Sequence, residues 1–365
     1  MATQTVSPQQ MLANFDGNAT ERSIVIASKD YGNGIATFPL PHAGVPTYSI
    51  LTFTGSLTRT EGTTVGTLTA SPYWPFNVMA PSSLVDMAGI TRIYADGYDL
   101  YELELVKQFG AYPKTPYSSE SYADDIYEAT LPTGTSGAST TTTINFSVVI
   151  PISYTKYSAL GSYAATVPNG EAQLQVVEAP LTGSYIQSPL TTTGKTTAKL
   201  TGTWSLEYYY LDAPSSVPIP VSALQTVHEV YHQESTTDLS SGTNKDEVLQ
   251  TGRTYYRVLQ RLVEDNASSF LHVNRFQFLV DSSTPTLDET LAAYMARMRY
   301  LYGRDMPPGM IVRDFSRRPW SPNNYGSLTA RLVLANAFTT GSFSKLYTTR
   351  ETLYVPSGNL VAIGG

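Results

Sequence analysis

Short apolar or alternating runs recur along most of the chain, separated by turns that contain Gly, Pro or Asp. Alternation with a period of two is typical of strands with one buried face. The runs that predict strands before residue 212 are SIVIASKDYG, PTYSILTFTGSLTRTEG, TVGTLTASPYW, ITRIYADGYDLYELELV, INFSVVIPISY, AQLQVVEA and LTGTWSLEYYYL. Those after residue 220 are ALQTVHEVYHQE, RTYYRVLQRLVE, FLHVNRFQFLVD, GMIVRDF, LTARLVLANAF and KLYTTRETLYV. The segment TGTSGASTTTT (residues 133–143) predicts a polar loop leading into a strand.

A short helix is predicted at the N-terminus. Ser7 can act as N-cap, Pro8 fits the first helical position, and Gln10 completes a capping box. A small apolar stripe follows and ends at Asp16-Gly17; it consists of Met11, Leu12 and Phe15. Because a helix this short is not stable alone, we expect it to pack on its own chain or on a neighbour.

Two further helix signals lie inside the two halves of the chain. SALGSYAAT (158–166) predicts a short helix, and TLDETLAAYMARMRYLYG (286–303) predicts a longer one. In the longer segment Thr286 and Glu289 form a capping box, and Gly303 marks the end. Its predicted apolar face comprises Leu287, Leu291, Met295, Met298 and Tyr302.

The order of elements predicts an all-β protein of two domains. Several strands, a helix and more strands occur on each side of the proline-rich segment DAPSSVPIPVS (212–222). Two β-sandwiches explain this repetition, and jelly rolls are one main way to build them. We therefore predict two β-sandwich domains, for which two jelly rolls (a double jelly roll) are one architecture, with short helices inserted in each. The parts of the chain are an N-terminal arm at 1–20, a first roll at 21–211, a linker at 212–220, and a second roll with a C-terminal tail at 221–365.

Composition narrows the functional classes. Charged residues make up 15% of the 365 residues, against about 25% in an average soluble domain. The formal net charge of −7 disfavours a dedicated nucleic-acid binder, which usually carries a basic footprint. The chain has no cysteine, which excludes disulfides, thiolate zinc ligands and a thiol nucleophile. No secretory leader and no apolar run of 18 residues is recognisable, so we expect synthesis in a cytoplasm.

The segment HEVYH (residues 228–232) matches the zinc-peptidase pattern H-E-x-x-H. On a helix His228 and His232 would share one zinc ion, and Glu229 would activate its water. The Val and Tyr content and the preceding prolines favour a strand, however. On a strand the two histidines lie about 13 Å apart, too far to share one ion. We predict a strand and no metal site.

A second candidate site is the loop VRDFSRRPWSPNNYG (312–326). It gathers Arg313, Arg317, Arg318 and Trp320, which could face phosphate head groups or an acidic partner. The simpler interpretation is a solvated turn between strands. The chain contains no P-loop, G-x-S-x-G elbow or G-x-G-x-x-G after a strand, so we predict no enzymatic activity and no cofactor.

Three segments resemble the major capsid proteins of tectivirus-type, PRD1-like phages, which are tailless double-stranded DNA viruses with an internal membrane. IPISYTKYSALGSYAATVPNGEAQLQVVEA (150–179) resembles a strand, helix and strand of the first roll in that family. IPVSALQTVHEVYHQESTTDL (219–239) is similar to the strand that opens the second roll, and KLYTTRETL (345–353) to the last strand. The matches occur in the family's order along the chain.

This resemblance implies a structural protein of the virion. Three chains would form a pseudo-hexagonal capsomer with upright rolls, and many capsomers would tile an icosahedral shell. The partners implied are other copies of the chain, vertex and minor membrane proteins, and possible contact with the internal membrane. The N-terminal helix, with Met11, Leu12 and Phe15, would lie at the capsomer base. Two alternatives stay open: a β-sandwich zinc hydrolase that uses His228, Glu229 and His232, and a viral spike or carbohydrate-binding sandwich.

Overall fold

The computed structural model describes residues 7–107, 129–165, 170–183, 188–221, 224–234, 244–265, 267–281, 284–303, 306–321, 327–338 and 344–356. Residues 222–223 at the end of the proline-rich segment and 322–326 in the predicted basic loop lie outside this description. Within the described ranges strands dominate, as expected from the alternating pattern.

Among the described residues, the first roll is built from ten strands. They are β1 (Thr20–Asp30), β2 (Ile35–Pro39), β3 (Val45–Thr60), β4 (Leu68–Ala70), β5 (Met79–Val85), β6 (Thr91–Ala95), β7 (Ser139–Pro151), β8 (Gln173–Glu178), β9 (Leu190–Thr192) and β10 (Thr197–Asp212). Two helices precede or interrupt them, α1 (Pro8–Asn18) and α2 (Gly97–Lys107), with a 3-10 turn at Phe76–Val78.

The second roll contains nine strands and one helix. They are β11 (Val227–Glu234), β12 (Asn244–Leu249), β13 (Thr254–Glu264), β14 (Ala267–Ser268), β15 (Val273–Val280), β16 (Thr284–Thr290), α3 (Leu291–Tyr302), β17 (Met310–Asp314), β18 (Leu328–Leu334) and β19 (Lys345–Tyr354). The predicted strand runs are thus confirmed in outline.

One sheet runs through both rolls. Its strand order is β14-β13-β19-β11-β6-β5-β8-β2, with β17 paired to β13. The strands β6 and β11 join the two halves by parallel pairing, at Val230↔Ile93 and Tyr231↔Tyr94. Each roll is completed by a four-stranded sheet of its own, β1-β10-β3-β7 in the first and β12-β18-β15-β16 in the second.

The core follows from alternation along the long strands. In β3, Leu51, Phe53 and Leu57 are fully buried, whereas the residues between them point outward. Phe53 packs edge-on against Trp204 of β10, with ring centroids 4.9 Å apart, and against Phe146 of β7. Each buried aromatic ring removes a large apolar area from water, so the packing of these three strands stabilises the first roll.

The predicted N-terminal helix is confirmed, and it packs on its own chain. Ser7 Oγ accepts from the Gln10 N–H, and Gln10 Oε1 accepts from the Ser7 N–H, which completes the capping box. Phe15 is only 1% exposed. Its neighbours in one apolar cluster are Val45, Ala159, Leu211 and Leu224, with Val217 and Ile219 of the proline-rich segment alongside. The helix therefore packs against the segment that connects the two rolls.

The segment DGYDLYELELV was wrongly predicted as a strand, because it forms α2. Asp96 Oδ1 accepts from the Asp99 N–H at 2.7 Å, and Asp99 Oδ2 accepts from the Asp96 N–H at 3.1 Å, so the two residues cap the helix start. Nearly every side chain of α2 is buried. A helix that is buried on all sides has no polar face, and its sequence lacks the 3.6-residue period.

The predicted short helix at SALGSYAAT is also wrong. The described part of this segment forms turns and extended chain. Gly161 lies in its middle with φ +81°, and a Cβ there would lie 2.6 Å from Cβ of His228. A residue in the left-handed conformation that packs closely against a strand interrupts a helix. The helix propensity of the nearby alanines does not overcome this interruption.

The C-terminal helix exists but begins later than predicted. Residues 284–290 form β16, which pairs with β15, and α3 begins only at Leu291. Thr290 caps it by accepting from the Ala293 N–H, whereas the predicted cap residue Thr286 donates to the Phe278 carbonyl. Gly303 ends the helix with φ +68°, as predicted. The loop predicted at 133–143 is shorter too, since β7 begins at Ser139.

Truncation of Phe15 tests whether α1 is part of the folded body. Phe15→Ala leaves a cavity between α1 and the connection of the rolls, and we expect it to lower the free energy of unfolding by about 3–5 kcal/mol. Urea denaturation at fixed protein concentration measures this. Gln9→Ala on the exposed face of α1 is the control and should change it by less than about 0.5 kcal/mol. Equal effects of both substitutions would show that α1 is not anchored.

Candidate functional site

The HEVYH segment lies in β11, in the middle of the shared sheet. Strand alternation places His228 and His232 on one face and Glu229 on the other. His228 Nε2 lies 2.9 Å from Glu351 Oε1, and Glu229 Oε2 accepts from Arg253 Nη1 at 2.6 Å. The three side chains therefore have separate partners and do not converge on one ion. The strand prediction is confirmed, and the zinc-hydrolase interpretation is not favoured.

Glu351 of β19 is the centre of the first cluster of buried charges. Its carboxylate lies 2.7 Å from Lys107 Nζ and also contacts His228 and Arg257. Burial alone would raise the pKa of Glu351, but the charges of Lys107 and Arg257 hold this pKa well below its usual value. Lys107 ends α2 of the first roll, whereas Glu351 belongs to the second roll. This cluster thus connects the two rolls electrostatically.

The environment of the His228 ring favours its neutral form. Burial lowers its pKa, and the nearby positive charge of Lys107 lowers it further, although Glu351 acts in the opposite direction. With Nε2 beside a carboxylate, the proton lies on Nε2, and Nδ1 has no hydrogen-bond partner. A neutral imidazole here serves as a donor to Glu351.

A second cluster surrounds Arg261 of β13. Its Nη2 lies 2.8 Å from Asp96 Oδ2 and 3.5 Å from Asp99 Oδ1, both at the start of α2. The guanidinium also lies over three tyrosine rings, at 4.5, 4.8 and 5.2 Å from the centroids of Tyr73, Tyr347 and Tyr98. Ion pairing combined with cation–π contact holds this charge in a desolvated position.

His232 joins this second cluster. Its Nδ1 lies 2.7 Å from Asp99 Oδ2. Burial opposes protonation, but the Asp99 carboxylate outweighs it and raises the pKa of His232. Conversely, burial would raise the pKa of Asp99, but the charges of His232 and Arg261 lower it. Glu102 lies nearby, and burial raises its pKa well above the usual value.

The same group satisfies a simple distance criterion for a metal site. Ligand atoms of Asp96, Asp99 and His232 all lie within 4.8 Å of one another. However, Arg261 already pairs with both carboxylates. A divalent ion would have to sit beside that fixed positive charge, which opposes binding. We therefore assign the group to an ion-pair network between α2 and the second roll.

The predicted basic loop is only partly a loop. Arg317 and Arg318 are exposed, but Arg313 lies in β17 and is 2% exposed. Arg313 donates to Gln260 Oε1 and to the Gln277 carbonyl, and burial lowers its pKa to about 10. Arg313 therefore does not face a membrane or partner, because both faces of β17 are covered at this point of the strand. Trp320 packs on Phe278, with ring centroids 5.0 Å apart.

The predicted contact residues of the N-terminal helix differ in accessibility. Phe15 is buried against its own chain and offers no surface to a neighbour. Met11 and Leu12 are half-buried, and Leu12 packs against the same apolar cluster.

An outer sheet face that sequence reasoning missed covers the first roll. We call it the hydroxyl face; it comprises five cross-strand rows of three residues on β7, β3 and β10. The rows are Ser147, Thr52 and Ser205; Asn145, Thr54 and Thr203; Thr143, Ser56 and Thr201; Thr141, Thr58 and Lys199; and Ser139, Thr60 and Thr197. Ser or Thr at alternate positions of the predicted strand PTYSILTFTGSLTRTEG was the available signal, whereas residues 139–143 lay in the predicted polar loop.

The corresponding outer face of the second roll is charged. Arg331 forms a bidentate salt bridge with Asp246, with N–O distances of 2.6 and 2.7 Å. Arg275 forms another with Asp288, with both distances 2.9 Å. We call this the charged face. The two rolls thus display outer surfaces of different chemistry.

Comparison with known proteins identifies the fold. No protein-family model matches the chain, and no curated protein matches its sequence. The major capsid protein of Sulfolobus Turreted Icosahedral Virus is 13% identical with a TM-score of 0.66, and the match covers 94% of this chain and 100% of the viral chain. The major capsid protein P2 of bacteriophage PM2 is 10% identical with a TM-score of 0.53, covering 93% and 99%.

A capsid chain of the virus PBCV-1 is similar to the same extent, with 11% identity, a TM-score of 0.54, and coverage of 92% of this chain and 94% of the viral one. At these identities the likeness establishes the fold alone, which is the double jelly roll. Among the described residues, none of the helices combines the length and apolar character needed to span a membrane.

Replacement of the Glu351 carboxylate tests the first charge cluster. Glu351→Gln removes the counter-charge of Lys107 and one of the two carboxylates beside Arg257, the other being Asp314. We expect a loss of about 3–5 kcal/mol in unfolding free energy at pH 7. Glu234→Gln, which removes the exposed partner of Lys345, is the matched control and should cost under about 1 kcal/mol.

The cost of Glu351→Gln should depend on pH. Because the folded-state pKa of Glu351 lies below its unfolded value, the stabilisation by its charge is complete above the unfolded value, near 4.5, and is lost as the pH falls further. The difference between wild type and variant should therefore shrink in urea denaturation below about pH 4.5. A difference that stays constant between pH 7 and pH 3.5 would contradict the assignment of charge to this carboxylate.

Proposed function

We propose that this chain is a major capsid protein of an icosahedral, tailless virus of the tectivirus type. Three copies form a pseudo-hexagonal capsomer, and capsomers tile a shell over an internal membrane. The chain is made in the host cytoplasm and ends in the virion, where it meets its own copies and the vertex and minor membrane proteins.

The observation that carries this proposal is a structural alignment that covers nearly all of this chain and all of the viral chain. The alignment with the capsid protein of Sulfolobus Turreted Icosahedral Virus includes 94% of this chain and all of the viral chain. Both rolls and the connection between them therefore have counterparts in the viral chain. Three resembling segments, at 150–179, 219–239 and 345–353, support the narrower tectivirus assignment.

The arrangement of the rolls supports a mechanical role. Joined by one sheet, they form a block with extensive lateral faces, which is the shape that lattice contacts require. We propose domain limits at 21–211 and 221–365, with 1–20 as an arm and 212–220 as the linker.

The lining of one cavity suits a structural role. This cavity has about 550 Å³, is open to solvent, and lies at one end of the second roll between Val248 and Val355. Its one guanidinium, from Arg253, is already paired with Glu229. A convergent set of polar groups with a free acid or base, as an active site needs, is not what these lining residues provide.

The solution mass tests the capsomer. One chain has 39.8 kDa, so light scattering after size exclusion should give about 119 kDa, three times that value, for a homotrimer. The trimer should persist on hundredfold dilution, because obligate assemblies often lack a stable monomer. A mass near 40 kDa at all concentrations would contradict the proposal.

A further inference from the structure

The hydroxyl face of the first roll is a regular and nearly uncharged surface. Thirteen of its fifteen residues are Ser or Thr, and the other two are Asn145 and Lys199. The register of β7, β3 and β10 has no bulge across the five rows. Nine of the fifteen side chains are exposed and the other six are half-buried. The rows therefore present hydroxyl and methyl groups on an even surface.

The hydroxyls of this face are already partly bonded to one another. Within the rows, Thr52 bonds Ser147 at 2.8 Å, Ser56 bonds Thr201 at 3.2 Å, and Thr58 bonds Thr141 at 3.0 Å. Thr60 and Ser139 form another such bond, at 2.8 Å. Bonded hydroxyls on β-branched side chains need little desolvation and lose little rotamer freedom when the face is covered.

The low charge of the hydroxyl face is a specific feature. Solvent-facing surfaces usually carry about 25–35% charged residues. The charged face of the second roll follows that pattern with two Arg–Asp pairs, so this chain does build charged sheet faces elsewhere. One lysine among fifteen positions is typical of a surface that another surface covers, because interfaces are depleted in charge.

We propose that the hydroxyl face binds the same face of a second copy of this chain, in a neighbouring capsomer, about a two-fold axis. Each chain carries a net charge of −7, so copies repel unless their contact is neutral. Hydroxyl groups both donate and accept, so a hydroxyl face complements itself. This inference rests on the proposed capsid function and adds the surface by which capsomers meet.

The area of the hydroxyl face indicates whether it holds the three chains of one capsomer together or joins neighbouring capsomers. Three strands about 4.8 Å apart, over five rows spaced about 6.8 Å, give a footprint of about 400–500 Å² per copy. A stable interface buries about 800 Å² per partner. The face is therefore too small to hold an obligate trimer together, and it suits a weak contact that is repeated many times across a shell.

Charge substitution at the central row tests this inference. Thr143 is exposed in that row, so Thr143→Glu and Thr143→Arg are compatible with the strand and place like charges against each other across the two-fold axis. Sedimentation velocity on the full chain measures reversible association beyond the basic oligomer. We expect each variant alone to associate at least about tenfold more weakly than wild type, and an equimolar mixture to regain association.

Val248→Glu is the control, because Val248 is 62% exposed on the outer side of the second roll. It should leave association unchanged. The inference is overturned if Thr143→Glu associates like wild type, if the mixture does not recover, if the Thr143 variants lose the trimer itself, or if wild type shows no association beyond its basic oligomer. If wild type is a monomer that associates through the surface around Thr143, the trimeric capsomer is contradicted. The proposal that the hydroxyl face binds a second copy would then still hold.

Discussion

The parallel pairing of β6 with β11 is the constraint on which the rest of the structure depends. The pairing is short and involves only two residue pairs, yet it joins strands of the two rolls into a single sheet. Because β11 also pairs along its length with β19, the HEVYH segment becomes the central strand of that sheet. Its histidines are then directed toward α2 of the first roll, and the zinc pattern is explained without zinc.

The buried charges follow from this junction. Asp96, Asp99 and Lys107 lie at or in α2, whereas Glu351, Arg261 and His232 come from the second roll. Separated rolls would leave Lys107, Arg261 and His232 without these carboxylates, whereas Glu351 would keep Arg257 of its own roll. An unpaired buried charge is strongly destabilising. Such pairs add little net stability compared with an apolar contact, but they select one docking arrangement. In the proposed shell, this uniformity would let every copy present its lateral faces in the same relation.

Sequence reasoning recovered most strands because one-sided burial leaves an alternating pattern, as in β3 and β10. It missed α2, because total burial erased the helical period, and it placed the start of α3 too early, because the pairing of 284–290 with β15 is not local information. The burial of Arg313 could not be predicted, because β17 is covered on both faces and its pattern does not alternate. The hydroxyl face was signalled in β3 by Ser and Thr at alternate positions, but residues 139–143 fell in the predicted polar loop. Its continuity also required the register between strands that are distant in sequence.

Cutting the connection between the rolls tests most directly whether they form one block. Ser215 and Ser216 are exposed in the proline-rich segment, so a protease site inserted between them can be cleaved in the folded protein. If the shared sheet and the ion-pair network hold the rolls together, the two fragments should co-elute in size exclusion with unchanged mass. The cleaved protein should also unfold in one transition. Fragments that separate under native conditions would contradict this account.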